Sequence, residues 1–456
     1  MDYHFFLKIY ILLNINSMHK GSVYFIGIGG IGMSALARWF LAHGYQVSGS
    51  DLSPSSTIEE LKNDGVKIFI GKHQAQNLDD QSVRVIYNQA ISEENLELQK
   101  ARDFKIPTST YPEVIGELTK LYKTVAIAGA HGKSTTASMV ALILEKAKFD
   151  PTVILGTKLK EFDNKNFRSG KSDYLVLEAD EWKASFLHYF PYAALITNID
   201  REHLDFYKNL NEIKKTFLNF IDNTHKYGLL VLNKDNKNLY SLREFIKRQV
   251  VWYSIKSKEA LEIKKILKLS GAHNLSNAVG AYILARALGV KKQLILKTLG
   301  SYSGAWRRSE YRGEFMGASL FDDYAHHPQE IKATLTGFKE KYKDSNIICI
   351  FQPHQRERLK ILFKDFVRAF DVADQIALLE VYGVAGRDEE KIELDSRALA
   401  KSIFLRRNKE VVVISDLQEL KNYFKTKIVK NKKNIVIMMG ACNINEYTDE
   451  LFRIQN

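Results

Sequence analysis

Apolar positions along this chain fall in short runs. Each run ends in glycine or a polar cluster and is followed by a stretch with helical spacing. Residues 22–27 read as a strand that runs into Gly27-Ile28-Gly29-Gly30-Ile31-Gly32. A helix follows over 33–43, then a second strand over 46–50 that ends at Asp51. Strand-like runs at 67–70 and 83–87 alternate with helical spacing at 57–64 and 93–104, and this unit closes near Tyr122. Buried strands punctuated by turns and separated by amphipathic segments are the pattern of a parallel α/β sheet.

The pattern restarts at Thr124. A run rich in β-formers stops at Gly129, and helical spacing covers 137–146. Further strands are predicted at 174–177, 193–199 and 229–232, and a helix opens at 271 and runs to about 288. Residues 151–172 show no clear period and read as an irregular loop. After Gly300 a third unit predicts strands at 319–324, 346–351, 375–381, 410–415 and 435–439. Helices over 329–342, 357–370, 396–406, 417–426 and 445–454 separate them. In such sheets ligands bind at the carboxyl ends of the strands, and the polar clusters lie there in all three units.

Bulk properties narrow the classes. The 456 residues suit about three domains, and 45% hydrophobic with 26% charged residues is ordinary globular composition. Net charge is +13, but the lysines are spread and the densest run, 425–433, is interrupted. That balance fits anionic nucleotide substrates without requiring nucleic acid. Cys349 and Cys442 lie in or beside apolar runs, as reduced cysteines of a cytosolic protein do. Residues 5–15 are apolar apart from Lys8 and Asn14, yet shorter than the roughly 20 residues a bilayer span needs. They also lack the basic start and small-residue cleavage site of a signal peptide. Met18 precedes the first strand, so translation is expected to start there or residues 1–17 to be a loose extension, within an N-terminal segment of 1–20.

Candidate chemistry centres on Gly129-Ala130-His131-Gly132-Lys133-Ser134-Thr135-Thr136. A strand that delivers a glycine turn onto a helix start presents N–H groups and the helix dipole to an anion. Lys133 adds a point charge and Ser134 a hydroxyl for Mg²⁺. Ile127 stands where the general P-loop pattern has its first glycine, so this is a shorter variant. Glu178 ends the next predicted strand, where a carboxylate can share that Mg²⁺. His203 ends another, with Asp180, Glu181, Asp200 and Glu202 crowding the same edge, and so many acids point to a cation. His273-Asn274 and Asn277 open a helix, where asparagine either caps or reads an adenine edge. Arg307-Arg308 suits a phosphoryl oxygen, and the carboxylates Asp322-Asp323 suit ribose hydroxyls. His326 and His327 are too close in sequence for a good zinc chelate. The segment Phe351-Gln352-Pro353-His354-Gln355-Arg356-Glu357-Arg358 offers arginines for a substrate carboxylate. Gly27 to Gly32 with Asp51 matches the dinucleotide fingerprint, but such a turn grips any diphosphate, so NAD(P) and a UDP-sugar both remain open.

Taken together and in order, these motifs resemble those of the Mur ligases over about residues 22–456. Further carriers are Ala184-Ser185-Phe186-Leu187, Thr197-Asn198-Ile199, His203-Leu204-Asp205 and Leu379-Glu380-Val381-Tyr382. The resemblance implies an α/β fold in three domains. These are a Rossmann-like UDP-sugar domain (21–122), a central P-loop ATPase with a mostly parallel sheet (123–300) and a C-terminal Rossmann-like ligase domain (301–456). It implies ATP-dependent amide formation through an acyl phosphate, and the branch it favours joins L-alanine to UDP-N-acetylmuramate. By motif, Gly129, Ala130, His131, Gly132, Lys133, Ser134 and Thr135 cradle ATP, Lys133 taking the β- and γ-phosphates. Ser134 and Glu178 hold one Mg²⁺ and His203 a second. Asn274 and Asn277 face adenine, and Arg308 and Asp322 contact the nucleotide from the third domain. Gly29, Gly30 and Ile31, with Asp51, hold the UDP-sugar, and His354 and Arg358 border the amino-acid pocket.

Three departures stand out. Ala130 and Ser134 replace threonines of the usual loop, Gln355 stands where an arginine is usual with Arg356 one step on, and Phe217 stands near the place of the carbamylated lysine of other branches. No carbamylated lysine is expected. The connection between Tyr253 and Gly271 is shorter than in the family it resembles, which implies a trimmed hairpin. A ligase that adds a tripeptide to the same sugar, an NAD(P)-dependent oxidoreductase and an inactive binding protein are the alternatives. The expected setting is cytoplasmic, as a monomer or weak homodimer, without nucleic acid or membrane.

Overall fold

The computed structural model describes residues 21–203, 206–383, 394–429 and 432–455. The expected extension over 1–20 and the pair Leu204-Asp205 lie outside the described residues. Three sheets carry the fold, each with strands buried on both faces, which is why the apolar runs are continuous rather than alternating.

The first sheet holds β1 (Ser22–Ile26), β2 (Gln46–Asp51), β3 (Lys67–Ile70), β4 (Ser82–Tyr87) and β5 (Thr108–Thr110) in the order β3-β2-β1-β4-β5, all parallel. The order reverses beside β1, so the glycine turn after it opens at the switch point where ligands of such sheets sit. Thr110 and Glu113 form a capping box at the start of the helix Tyr111–Leu121, which leads to the second sheet.

That sheet contains β6 (Lys123–Ala128), β7 (Thr152–Leu159), β8 (Lys165–Arg168), β9 (Tyr174–Ala179), β10 (Ala193–Ile196), β11 (Leu229–Asn233) and β12 (Val251–Tyr253). Its order is β12-β11-β10-β6-β9-β7-β8, with β8 antiparallel to β7 and the other pairs parallel. The irregular loop expected over 151–172 is therefore wrong. All of β7 except Gly156 is buried, so no alternation of period two is visible in its sequence. The trimmed hairpin expected after Tyr253 is instead a helix, Lys258–Ile266.

The third sheet comprises β13 (Glu310–Phe315), β14 (Ala318–Asp323), β15 (Asn346–Phe351), β16 (Gln375–Leu379), β17 (Val411–Ile414) and β18 (Asn434–Met439). Its order is β13-β14-β18-β15-β16-β17, parallel except for β13. The single helix expected over 357–370 is two, Arg356–Ile361 and Phe363–Ala369, broken at Leu362. The chain separates into two compact units. One runs to Glu259 and includes Asn277–Leu299, and the other holds Ala260–Ser276 and everything from Gly300.

Within the first of these units, β7 and β8 dock the first sheet. One apolar cluster runs from Trp39 and Phe40 through Ile154 and Phe167 to Phe217. At its edge Arg38, 4% exposed, donates to Asp64 at 2.8 Å, Glu60 at 3.1 Å and Asn166 at 2.5 Å. Lys158 and Lys165 pair with the same two acids, at 2.5 Å to Glu60 and 2.7 Å to Asp64. Burial alone would raise the Asp64 carboxyl, but hydrogen bonds from Lys165 and Arg38 hold it below the ordinary carboxylate range. Its folded-state pKa lies below its unfolded one, so this stabilisation is present at neutral pH and is lost as pH falls through that depressed value. Removing one partner of a buried pair strands the others. Arg38→Ala is expected to lower stability by about 2–4 kcal/mol in urea unfolding, less than a fully buried pair because Glu60 and Asp64 are partly exposed.

Candidate active site

β6 lies between β9 and β10, with Thr124 to Ala128 buried, and its end carries the loop from Gly129 to Gly132. Both glycines are required by geometry. Gly129 has φ +130°, and a Cβ there would lie 2.2 Å from Thr197 Oγ1. Gly132, the N-cap of the helix Lys133–Lys146, has φ +82°, and a Cβ would lie 2.4 Å from Asn277 Oδ1. The helix thus starts at Lys133, earlier than its apolar spacing indicates. Asn198 clamps the loop: its Oδ1 accepts from His131 N–H at 2.9 Å, its Nδ2 donates to His131 C=O at 2.8 Å, and its carbonyl accepts from Ala130 N–H at 3.2 Å. Those two amides are spent on the clamp, so the anion-facing N–H groups are those of the helix's first turn. Gly129→Ala meets both a left-handed φ and a hard clash. It is expected to cost about 3 kcal/mol or more in thermal unfolding.

Lys133 Nζ pairs with Glu181 Oε2 at 2.9 Å and Asp180 Oδ1 at 3.5 Å. Burial would lower its pKa, but these two carboxylates more than offset that and hold the ammonium charged. The Asp180 side chain is half-exposed; desolvation would raise its carboxyl, but Lys133 and His203 keep it below the ordinary range. Glu181, only 2% exposed, is pushed up by burial. His203, at φ +56°, points Nε2 to within 3.8 Å of Glu181 Oε1 and 3.9 Å of Asp180 Oδ1. Potential ligand atoms of these three residues lie within 4.8 Å of one another. Ser134 Oγ donates to Glu178 Oε2 at 2.8 Å, and Gly156 N–H donates to Oε1 at 2.6 Å. The expected acidic edge therefore resolves into Ser134 with Glu178, His203 with Asp180 and Glu181, and His131, whose Nε2 lies 3.1 Å from Asp200 Oδ2.

The first sheet's glycine turn faces this edge. Gly27 and Ile28 N–H both donate to Ser50 C=O, at 2.8 and 3.0 Å, and Gly29 N–H donates to Asp51 Oδ2 at 2.8 Å. Asp51 thus shapes the turn with the carboxylate that a dinucleotide enzyme gives to a ribose. Tyr111 lies between the turn and the carboxylates of this edge. Its ring sits where a Cβ on Gly32 would be 2.9 Å away, and burial, with Glu178 and Asp180 nearby, pushes its phenol up.

Asn277 stands against Gly132, beside the loop, and Asn274 Nδ2 donates to Ser270 C=O at 2.9 Å. In the second unit Arg307 is buried and donates to the carbonyls of Gly440 and Ala441, whereas Arg308 lies over the Tyr324 ring at 4.8 Å. Asp322 is corrected. It is 1% exposed, its two oxygens engage Arg312 and Thr448, and burial pushes its carboxyl up to about 6. Such a group braces the sheet from inside rather than facing a nucleotide. His354 forms an isolated bridge with Tyr382, and Arg358 Nη1 lies 3.3 Å from His354 Nδ1. Sequence reasoning left Asp180, Glu181 and Asn198 without individual roles. No spacing rule singles out Asn198, but the carboxylates at 180–181 were visible as a strand-end pair. Phe217 packs edge-on to Phe186 at 5.1 Å in the core.

Known families cover most of the chain. Residues 22–123 match the Mur ligase family catalytic domain, 127–285 the Mur ligase middle domain and 307–442 the Mur ligase glutamate ligase domain. A UDP-N-acetylmuramate–L-alanine ligase from Aquifex aeolicus is 35% identical over 455 residues, 95% of this chain and 97% of its own. One of the same name from Clostridium perfringens is 40% identical over 404 residues, 84% of this chain and 87% of its own. The crystal structure of a UDP-N-acetylmuramate–alanine ligase from Thermotoga maritima, 25% identical, superposes with a TM-score of 0.79 over 95% of this chain and 99% of its own. Among the described residues no helix is long and apolar enough to cross a membrane.

Proposed function

The chain belongs to the Mur ligase family, and from that premise we propose that it joins L-alanine to UDP-N-acetylmuramate at the expense of ATP, in the cytoplasmic synthesis of peptidoglycan precursors. The observation that carries this reading is the meeting of two cradles. The glycine turn after β1 and the Lys133 loop after β6 approach one another around Tyr111, so an anion on each can be brought to reaction.

The chemistry sets the demands. A lactoyl carboxylate oxygen attacks the γ-phosphorus, the bond to the β-phosphate oxygen breaks, and ADP leaves. The amine of L-alanine then attacks the acyl carbon, loses a proton, and expels phosphate. Both partners of the first step are anions, so the site must supply positive charge where negative charge gathers. Lys133 is that charge. Its present pairing with Glu181 and Asp180 keeps it ionised and aimed, and a γ-phosphate exchanges for those carboxylates. Ser134 and Glu178 are hard oxygen donors on two elements and fit Mg²⁺, as do Asp180 and Glu181 with His203. Bound there, the ion neutralises triphosphate charge and polarises the γ-phosphoryl group. Asn277 stands beside the loop for adenine, and Arg308, rather than the buried Arg307, is assigned to the nucleotide. His354 and Arg358 suit the amino acid's carboxylate. The departure at Gln355 leaves that pair intact: Gln355 takes φ +64°, gives its N–H to Tyr382 C=O and caps the helix Arg356–Ile361, on which Arg358 lies beside His354.

Phosphate release from ATP, with UDP-N-acetylmuramate and a panel of amino acids, tests the reading. L-Alanine is expected to give the highest kcat/KM. Release only with L-alanyl-γ-D-glutamyl tripeptides contradicts the amino-acid assignment.

A further inference from the structure

The two anions of the first step sit on different sheets, and about 1 Å of misplacement of such partners costs on the order of 100-fold in rate. The loop after β4 is where the first sheet can be held in register with the second. Asn88 N–H donates to Ile26 C=O at 3.2 Å. Its side chain lies against the glycine turn, 3.4 Å from a Cβ placed on Gly27 and 3.5 Å from one on Gly30. The next residue is gripped from the central sheet. Ser185 Oγ is 2.7 Å from Gln89 Oε1, and Lys183 Nζ donates to Gln89 C=O at 3.0 Å.

Both grips come from the turn that directly follows Asp180 and Glu181. Lys183 and Ala184 adopt left-handed conformations, φ 49° and 56°. Two successive residues with a Cβ persist there only where the surroundings over-determine them. Here they do. Ala184 N–H donates to Glu181 C=O at 2.9 Å and Phe186 N–H to Asp180 C=O at 3.1 Å. Tyr207 Oη donates to Glu181 C=O at 2.5 Å. Phe186, fully buried, stacks on Phe220 at 4.5 Å. The turn is anchored in the central core and on the main-chain carbonyls of Asp180 and Glu181, the residues whose side chains face Lys133, and it presents Ser185, 5% exposed, to Gln89. A surface loop does not need such a conformation, whereas a rigid spacer between two cradles does.

We propose that Gln89 and Ser185 are a positioning pair, which sets the sugar-nucleotide turn of the first domain at a fixed distance from the phosphate cradle of the second. This rests on the ligase reading above. The pair need not touch either reacting atom; it acts through Asn88 on one side and Asp180-Glu181 on the other. Losing it loosens the alignment without removing phosphate ligands, so its signature is a fall in kcat at unchanged KM for ATP.

The test uses full-length Gln89→Ala, Ser185→Ala and the double variant, with saturating ATP, UDP-N-acetylmuramate and L-alanine. The expected result is a kcat about 10- to 100-fold lower in each single variant. KM for ATP stays within about twofold, and the double variant is no worse than the weaker single, because both cut one link. Thermal melts accompany each assay. A Gln89→Ala enzyme with wild-type kcat overturns the proposal, and so does a loss matched by loss of folded protein at the assay temperature. These outcomes are read only against an active wild type. A wild type that releases no phosphate with any amino acid overturns the ligase reading and this inference together.

Discussion

Lys133→Ala is expected to lower kcat/KM for ligation by about 100- to 1,000-fold, the range seen when one preorganised charge-stabilising group is removed from an active site. The argument starts from the loop. Gly132 turns the chain so that Lys133 is the first helical residue, and its ammonium is held between Glu181 and Asp180 rather than in solvent. This side chain brings a fixed positive charge to the end of β6. The variant has a second consequence. Glu181 is nearly fully buried and already pushed up by burial, and without Lys133 it loses its ion pair. Breaking a buried pair costs about 3–5 kcal/mol. Glu181 then has a folded-state pKa still further above its unfolded one. The folded chain therefore keeps a proton that the unfolded chain releases, so the variant gains stability as pH falls from neutral towards the ordinary carboxylate range. Melting temperatures at several pH values, wild type beside variant, read this directly. A variant with unchanged ligation contradicts the phosphate-cradle assignment, whatever its stability.

The second large effect is at Glu178. Glu178→Gln keeps the size of the side chain and can still accept from Gly156 N–H, so the ends of β7 and β9 stay together. It removes the charge opposite Ser134. A fall of about 100-fold in kcat is expected at ordinary Mg²⁺, since losing a metal's carboxylate forfeits several kcal/mol of charge stabilisation. Raising Mg²⁺ recovers part of the activity. A titration in which the variant shows the wild-type Mg²⁺ requirement removes Glu178 from the metal site. The contrast with Lys133→Ala is useful, because added cation cannot replace a side chain that is part of the helix.

The alternation of strand, turn and helix was readable because strands buried on both faces leave continuous apolar runs, and glycines mark their ends. The same double burial hid β7: with no exposed position but Gly156, nothing alternates, and the segment looked like loop. β13 was hidden for the opposite reason. It is a half-exposed antiparallel edge strand reading Glu-Tyr-Arg-Gly-Glu-Phe, joined to β14 through Met316 and Gly317, both at positive φ. That is the geometry of a tight two-residue hairpin, but methionine replaces the Asn or Asp that would announce it. At the site, residue type and position at a strand end pointed to Lys133, Ser134, Glu178 and His203, which the structure brings to one sheet edge. They were not enough for Asp322, because sequence does not say that Arg312 and Thr448 already occupy its oxygens. Nor could they separate Asp180 and Glu181 from the crowd of acids around them. That distinction depends on which carboxylates reach Lys133, and the reach is set by the left-handed turn at Lys183 and Ala184.

The central claim is that the sugar carboxylate is activated by direct attack on ATP. UDP-N-acetylmuramate carrying ¹⁸O in its lactoyl carboxylate tests this in one turnover with L-alanine. One labelled oxygen is predicted to appear in the released inorganic phosphate, with ADP as the other product. Unlabelled phosphate, or AMP and pyrophosphate in place of ADP and phosphate, would contradict it.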